Sequence, residues 1–386
     1  MAKERNVLFL QTSSELYGSG KIILQVLRIY REQGFNPVVV MTGKGPLTDL
    51  LVEEGFKVKV QNLGILRRKY VNPSGIVNRF NKKLKAYKFL NKLHEEYKFE
   101  LVYSNTLAVI VGSYWAKKNK IPHIWHIHEI LFGPKPLVKL LRSMLDKNTP
   151  YPIVVSEAVR RHWEPMLKIA KPEVIHNGIP YEDHLKPFPD AKENLGLPVD
   201  KLIITMIGRI NPGKGQRYFL EIAKRILEIY PTCHFLLVGD PFPGYEYIQE
   251  ELKSFVQENR MEESVSDFGF RKDIPEVLAA SDIFVLPSVL PDSFPTVILE
   301  AMASSKPVIA TRSGGAEEMV DNGKTGFLIP IDDVEKGVKA ISDLINDPSK
   351  IKSFGEAGRQ KVLNSYNLNT FKEKIEKHLW RHLRRS

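Results

Sequence analysis

Short apolar runs recur along the chain, most of them followed by a segment with helical periodicity. The runs lack strict alternation of apolar and polar residues, which indicates strands covered on both faces and therefore parallel sheets. The pattern stops at the Asn177-Gly178 turn and a proline-rich stretch over 180–198, and then restarts. The predicted strands are 7–11, 37–41, 57–61, 101–104, 123–127 and 153–155 before this break, and 202–207, 234–238, 266–268, 283–286, 307–310 and 327–329 after it.

This recurrence predicts an α/β fold of two Rossmann-like domains joined near residues 180–200. A length of 386 residues agrees with two domains of about 100 to 200 residues each. We expect a first domain over 1–180 and a second over 181–365. The composition, 43% apolar and 10% aromatic, is sufficient for full-size cores and excludes a disordered chain.

The sequence favours a reducing compartment. Cys233 is the only cysteine, so no internal disulfide forms, and it stands beside an apolar strand. Residues 1–6 lead directly into the first strand without the pattern of a signal peptide, and no apolar run approaches about 18 residues. We therefore expect a cytoplasmic protein with no membrane-spanning segment.

The formal charge of +11 is concentrated in one segment. Between Arg67 and Lys98, ten basic residues are opposed by two acidic ones, with apolar side chains interleaved. This pattern predicts a basic loop followed by a basic amphipathic helix. A second basic and apolar segment covers 135–142. Three interpretations stay open: an anionic membrane surface, nucleic acid as a partner, or a solvated basic face.

Two carboxylates, Asp292 and Glu300, stand eight residues apart across a predicted junction between a loop and a helix. Pro295 suits the first turn of that helix because its missing N–H is not needed there. At ~1.5 Å rise per residue, Pro295 and Glu300 are about 8 Å apart, which lets both carboxylates grip one small ligand. Carboxylates of this kind bind sugar hydroxyls. The alternative is a helix N-cap and a solvated helix charge.

Each half opens with a strand that runs into glycines and then a helix. In the first half the glycines lie within 17–21 and the helix begins near Ile22, and in the second they lie within 208–215. Neither segment matches the dinucleotide fingerprint or the P-loop spacing. Arg209 and Lys214 beside a helix N-terminus predict a diphosphate site, although Gly-Lys-Gly alone is a weak motif.

Histidines are the remaining candidates. His126 and His128 share one side of the strand predicted over 123–127. Two histidines at this spacing are also a zinc pattern, but no third and fourth ligand have a recognisable spacing, and a structural role for either ring is a further alternative. We expect no metal and no cofactor, because Arg209 and Lys214 with helix dipoles supply the charge that a cation would.

Together these motifs resemble glycosyltransferase family 4 over nearly the whole chain, closely in the C-terminal half and more loosely before it. The motifs are Gly208-Arg209, Gly213-Lys214-Gly215, Leu237-Val238-Gly239, Asp292-x7-Glu300-Ala301-Met302-Ala303, Gly314-Gly315-x2-Glu318 and Gly323-x2-Gly326, preceded by the first glycine turn and residues 174–178. The resemblance implies the GT-B fold, in which two Rossmann-like parallel-sheet domains face each other across a cleft. It also implies that a C-terminal helix over about 366–386 packs back on the first domain.

The resemblance implies a role for each candidate residue. Arg209 and Lys214 would hold the diphosphate and neutralise the charge that grows on it, Glu300 would bind the ribose hydroxyls, and Asp292 would face the donor sugar. His128 would reach the donor sugar from the first domain. The remaining expected donor contacts are Gly18, Ser293, Phe294 and Thr296. The family more often has Glu at the position of Asp292 and Gly at that of Pro295, so contacts to the sugar or phosphate differ here.

The implied reaction is retaining transfer of a hexose-type sugar from a UDP or GDP sugar to a hydroxyl of a glycan or lipid-linked acceptor, in cell-surface polysaccharide or glycolipid synthesis. The acceptor would attack on the face from which the nucleoside diphosphate leaves, without an enzyme nucleophile. The expected partners are the nucleotide-sugar donor, the acceptor and an anionic surface on the inner face of a membrane, and not nucleic acid. Two alternatives stay open: a GT-B nucleotide-sugar epimerase and a non-catalytic basic binding protein.

Overall fold

The computed structural model describes residues 4–16, 18–65 and 73–383. Within these residues the chain forms two compact units. The first runs to Ile179 and includes the chain again from Leu368, and the second is Pro180–Asn367. Each unit is a parallel sheet covered by helices. None of the described helices is both long enough and apolar enough to cross a membrane.

The first unit has a sheet with the strand order β3-β2-β1-β4-β5-β6-β7. Its strands are β1 (Arg5–Gln11), β2 (Phe35–Met41), β3 (Lys57–Val60), β4 (Leu101–Asn105), β5 (His123–Ile127), β6 (Ile153–Val154) and β7 (Glu173–Val174). Its helices up to the break are α1 (Gly18–Glu32), α2 (Pro46–Glu53), α3 (Pro73–Tyr97), α4 (Ile110–Lys118), α5 (Lys135–Asn148) and α6 (Glu157–Trp163), followed by a short 3₁₀ turn, Glu164–Met166.

The second unit repeats this organisation with the strand order β10-β9-β8-β11-β12-β13. Its strands are β8 (Leu202–Ile207), β9 (Cys233–Val238), β10 (Val265–Asp267), β11 (Ile283–Leu286), β12 (Val308–Thr311) and β13 (Gly326–Ile329). Its helices are α7 (Ala191–Asn194), α8 (Gln216–Ile229), α9 (Glu246–Glu258), α10 (Ile274–Ala280), α11 (Thr296–Ala303), α12 (Ala316–Met319), α13 (Val334–Ile345) and α14 (Pro348–Ser365), and a 3₁₀ turn covers Glu182–Leu185. The last helix of the described residues is α15 (Leu368–Leu383), which belongs to the first unit.

Both sheets owe their stability to strands that are apolar on both faces. In β1, Val7, Leu8, Phe9 and Leu10 are fully buried, and the four residues of β11 are buried as well. Each fully buried side chain of this size contributes about 1.5 to 3 kcal/mol. In both units the first strand lies between its second and fourth strands, so the order of connection reverses there. This switch point leaves a crevice outside the carboxyl ends of the strands, where ligands bind.

The prediction of two Rossmann-like α/β domains is confirmed. All twelve predicted strands are present, with ends shifted by at most two residues. The structure adds β7, a two-residue strand that the sequence pattern does not mark. Helix α1 begins at Gly18 and not near Ile22, so that prediction was wrong by about one turn. Parts of two predicted features lie outside the described residues: Tyr17 of the first glycine turn, and Arg67, Arg68 and Lys69 of the basic loop.

Candidate functional site

The loop that connects β8 to α8 carries both predicted phosphate-binding cations, at the switch point of the second unit. Its shape is set by two amides. Asn211 accepts the Gly213 N–H at 2.9 Å and donates to the Arg209 carbonyl at 3.2 Å. Gln216, which is buried at the start of α8, donates to the same Arg209 carbonyl at 3.0 Å. The loop backbone is therefore fixed on both sides of Lys214.

Glycine is required at the end of this loop. Gly215 has φ +80°, and a Cβ there would lie 2.0 Å from the Pro287 carbonyl oxygen. The helix that follows is anchored by a buried stripe at the spacing of one helix face, Phe219, Ile222, Ala223 and Ile226. The close approach to Pro287 and the buried stripe together fix the N-terminus of α8 at the carboxyl edge of the sheet.

Lys214 and Asp292 form an ion pair. The Lys214 Nζ lies 2.5 Å from Asp292 Oδ2, and each side chain is 22% exposed. Arg209 lies nearby in the chain, and its guanidinium carbon is 5.3 Å from the centre of the Phe242 ring. The structure thus brings together Lys214 and Asp292, residues that sequence analysis assigned to one site. No sequence motif marks Phe242, because its contact with Arg209 forms only when β8 and β9 are neighbours.

The loop that holds Asp292 packs against a second glycine turn. A Cβ on Gly314, which has φ +60°, would lie 2.0 Å from the Asp292 carbonyl oxygen, and one on Gly315 would lie 2.5 Å from that of Ser293. The Gly315 N–H donates to the Asp292 carbonyl at 2.8 Å. The Gly-Gly motif is therefore explained by close contact with the Asp292 loop.

Helix α11 begins directly after Pro295, which occupies the capping position with ψ 92°. Pro295 is thus one residue before the first turn in which the sequence analysis placed it. Asp292 lies in the loop and Glu300 inside the helix, as predicted. Ser293 and Thr296 are half-buried. Phe294 is buried, with its ring 5.9 Å from that of Tyr366, so its side chain is part of the core.

Glu300 is 6% exposed, which is unusual for a glutamate. The Tyr181 side chain lies within its electrostatic reach: burial, with the charge of Glu300 second, raises the pKa of Tyr181 well above its ordinary value. Tyr181 therefore keeps its proton, and its hydroxyl donates to the Tyr366 carbonyl at 3.1 Å. A buried carboxylate is costly unless polar groups surround it, so the position of Glu300 points to ligand recognition or to a buried polar network.

In the first unit, His128 follows the carboxyl end of β5. Asn105, the last residue of β4, donates to Gln11 Oε1 at 2.7 Å, and its Oδ1 accepts from His128 Nε2 at 2.8 Å. Burial lowers the pKa of His128 to about 4, so the ring is neutral at neutral pH. A neutral ring with a proton on Nε2 presents Nδ1 as an acceptor.

His126 has a structural position. Its ring is fully buried, 4.3 Å from that of His128, and its Nδ1 is 2.7 Å from the Tyr103 hydroxyl. Gln11 and Asn105 were not predicted as site residues. The sequence could have identified both residues, because polar residues at the carboxyl ends of neighbouring parallel strands meet at one edge of a sheet.

Gly18, the remaining predicted donor contact, is the first residue of α1, and a Cβ there would meet nothing within 4 Å. The glycine that this turn requires is Gly20, where a Cβ would lie 2.1 Å from the Glu15 carbonyl oxygen. Within residues 4–16, 18–65 and 73–383, no group of three or more His, Cys, Asp or Glu residues is arranged to hold a metal ion.

Comparisons with known proteins agree across both units. Residues 17–183 match the family model described as Glycosyltransferase Family 4, and residues 187–361 match the model described as Glycosyl transferases group 1. The chain is similar to the Escherichia coli UDP-Gal:alpha-D-GlcNAc-diphosphoundecaprenol alpha-1,3-galactosyltransferase, with 28% identity over 94% of this chain and 93% of that protein.

Two further proteins extend the comparison. The alpha-maltose-1-phosphate synthase of Mycolicibacterium smegmatis is 30% identical over 53% of this chain and 55% of that protein, about half of each. Among solved structures, Anabaena Alr3699/HepE in complex with UDP has a TM-score of 0.84 at 24% identity, covering 97% of this chain and 99% of that chain. This last likeness shows the fold.

Proposed function

Because the chain belongs to glycosyltransferase family 4 and has the GT-B fold of two Rossmann-like units, we propose that it transfers a hexose from UDP-hexose, with retention at the anomeric carbon, to a lipid-linked saccharide. The observation that carries the proposal is the group of side chains at the switch point of the second unit: Arg209 and Lys214 beside the start of α8, with the buried Glu300 on α11.

The two cations stabilise the departing nucleoside diphosphate. Negative charge grows on the diphosphate as the glycosidic bond breaks, and fixed positive groups aimed at that charge lower the barrier. The first N–H groups of α8 add to this field. In this proposal Arg209 and Lys214 take the part that a divalent cation plays in other sites, so transfer should continue in the presence of a chelator.

Glu300 binds the ribose hydroxyls, and Asp292 faces the donor sugar. A carboxylate accepts two hydroxyl hydrogen bonds at once, and burial strengthens them. Ser293 and Thr296 are half-buried at the start of α11 and offer backbone donors to the diphosphate. Because Pro295 has no N–H, the donor set is smaller by one at that position.

The proposed reaction has no enzyme nucleophile. The acceptor hydroxyl forms the new bond to the anomeric carbon on the face from which the UDP oxygen departs, and the departing phosphate oxygen accepts the hydroxyl proton. His128, neutral at working pH, accepts a hydrogen bond from a sugar hydroxyl through Nδ1 and does not act as a cation. We assign UDP as the nucleotide and a lipid diphosphate as the acceptor carrier because the Escherichia coli relative has both in its name.

Helix α3 supports the proposal that the protein works at the inner, cytoplasmic face of an anionic membrane. Val77, Phe80 and Leu84 are 60%, 59% and 48% exposed and occupy one face at the spacing i, i+3, i+7. Lys85 and Lys88 are exposed on the next turns of the same helix. Exposed apolar residues beside lysines are typical of helices that lie in a lipid interface. Co-sedimentation with anionic and neutral vesicles tests this, and equal binding to both would contradict it.

Nucleotide binding tests the proposal as a whole. Thermal unfolding is measured with UDP, GDP, ADP and their sugars, for the natural protein and for Arg209→Ala and Glu300→Gln. At 100 times its dissociation constant, a ligand adds about 2.7 kcal/mol to stability. We expect a shift with UDP that both variants lose and that the exposed-surface variants Arg225→Ala and Glu258→Gln keep. If no nucleotide shifts the transition, the proposal fails and a non-catalytic binding protein is favoured. Free epimerised sugar formed without an acceptor would favour an epimerase.

A further inference from the structure

The β5–α5 region of the first unit contains a groove of about 480 Å³. Its apolar wall is formed by Leu131, Phe132, Val138 and Met166. Phe132 is 56% exposed, and its ring makes an edge-to-face contact with that of His162, with 5.4 Å between the ring centres. The volume lies within the range of sites that take small organic ligands, about 300 to 1,000 Å³.

Three cations line the same groove. Lys135, Lys139 and Arg142 lie on one face of α5 at the spacing i, i+4, i+7, and all three belong to the groove lining. Neither Lys135 nor Lys139 has an ion-pair partner within the described part of the chain. A ligand that satisfies this surface is apolar along one part and doubly or triply anionic along another.

The groove is preformed. The Asp146 carboxylate of α5 accepts the backbone N–H groups of Lys168, Ile169 and Ala170 through one oxygen, at 2.9, 2.7 and 3.0 Å. These bonds tie the segment after Met166 to the helix. On the other side, the Trp163 indole donates to the Glu129 carbonyl at 3.0 Å. Both walls are thus held by hydrogen bonds within the chain itself, so little conformational freedom is lost when a ligand binds.

The groove begins close to the proposed chemistry. Leu131 follows His128 by three residues, a chain distance of at most about 11 Å at ~3.3 to 3.6 Å per residue. Both lie after the carboxyl end of β5. A ligand with its chain in the groove and its anionic part at the cations of α5 can therefore direct its next group towards His128.

We propose that this groove binds the lipid diphosphate part of the acceptor, with the isoprenoid chain against Phe132, Val138 and Met166 and the diphosphate against Lys135, Lys139 and Arg142. The sugar to be extended then lies on the His128 side. This assignment rests on the proposed function, and it adds the location and the chemistry of the acceptor carrier. The groove binds a lipid that carries phosphate more tightly than it binds the lipid alone or the phosphate alone.

The test uses farnesyl diphosphate as a soluble probe, with farnesol and inorganic diphosphate as its two halves, titrated by calorimetry. We expect farnesyl diphosphate to bind at least about tenfold more tightly than either half. Phe132→Ser and Lys139→Glu should each weaken it about tenfold or more, since one loses apolar contact and the other reverses a charge. Both residues are exposed, so the variants should fold normally.

Two controls separate this inference from its alternatives. Lys336→Glu reverses an exposed lysine on α13 and should leave probe binding unchanged. Arg209→Ala should also leave it unchanged. If Arg209→Ala abolishes binding and Lys139→Glu does not, the probe occupies the nucleotide site and the groove assignment is wrong. Equal affinity for farnesyl diphosphate and inorganic diphosphate would overturn it as well. UDP-induced stabilisation is measured on the same variants, so a loss of the proposed function itself is seen separately.

Discussion

Asp292→Asn should tighten the binding of UDP while it slows sugar transfer. In the structure Asp292 forms an ion pair with Lys214, with 2.5 Å between Oδ2 and Nζ. In the proposed function Lys214 binds the diphosphate, so the nucleotide must compete with the Asp292 carboxylate for this lysine. The amide of the variant still accepts a hydrogen bond from Lys214 but removes the negative charge beside the diphosphate.

The magnitude follows from the exposure of the pair. Two unit charges about 4 Å apart interact by roughly 4 kcal/mol at an effective dielectric of 20. At 22% exposure, solvent and salt reduce that figure, and exposed pairs are worth about 0.2 to 1 kcal/mol. We therefore expect a gain of about 1 kcal/mol in UDP binding, roughly fivefold, which shrinks as salt is raised.

Calorimetric titration of UDP and steady-state transfer from UDP-hexose measure the two effects. Lys214→Gln should weaken UDP binding, and Asp343→Asn, which breaks the exposed pair with Lys339, should change neither quantity. Unchanged or weaker UDP binding in Asp292→Asn would show that this carboxylate does not compete with the diphosphate. Unchanged transfer would remove Asp292 from the proposed contacts to the donor sugar.

Three further predictions concern the supports of the site and the first unit. Gln216→Ala removes the 3.0 Å bond to the Arg209 carbonyl, and calorimetry should show UDP binding weaker by about 1 to 2 kcal/mol with a smaller change in melting temperature. Gly314→Ala places a Cβ against the Asp292 carbonyl and should weaken UDP binding more than tenfold. Gly323→Ala, whose new Cβ would have no atom within 4 Å, should leave UDP binding unchanged. Burial lowers the pKa of His123 and of His378 to about 3 each, so between pH 6.5 and 3 the unfolded chain binds more protons and stability falls as pH falls. Each of these histidines should lower the free energy of unfolding, measured with urea, by about 1.4 kcal/mol per pH unit. His378→Gln should reduce this dependence on pH, and equal slopes for the variant and the natural protein would refute the prediction.

Much of the fold was predictable because strands buried on both faces leave continuous apolar runs. The second unit was predictable in more detail, since Gly215 and Gly314 are fixed by contacts with backbone oxygens and so mark the loops around Lys214 and Asp292. The helix start at Gly18 was missed because Gly20, the third residue of α1, was interpreted as part of a loop.

The supporting residues were less accessible to sequence reasoning. The Phe242 ring contacts the Arg209 guanidinium only because β8 and β9 are neighbours, and no motif marks this contact. Gln216 reaches back across the β8–α8 loop to the Arg209 carbonyl, and no motif marks that contact either. Asn105 and Gln11 could have been predicted, since each is the last residue of a parallel strand and polar residues there meet at one edge of the sheet. Phe294 was expected to offer the donor a backbone N–H. The structure places its side chain in the core beside Tyr366, and the backbone contact stays a prediction.

The most direct test of the central claim is sugar transfer itself, followed by the anomeric configuration of the product. The protein is incubated with UDP-hexoses and a saccharide carried on an isoprenoid diphosphate, and the product is analysed by mass spectrometry and proton NMR. We predict one UDP released per sugar transferred, the donor's anomeric configuration in the product, and loss of both with Arg209→Ala. Inverted configuration, or UDP release that persists in Arg209→Ala, would contradict the account.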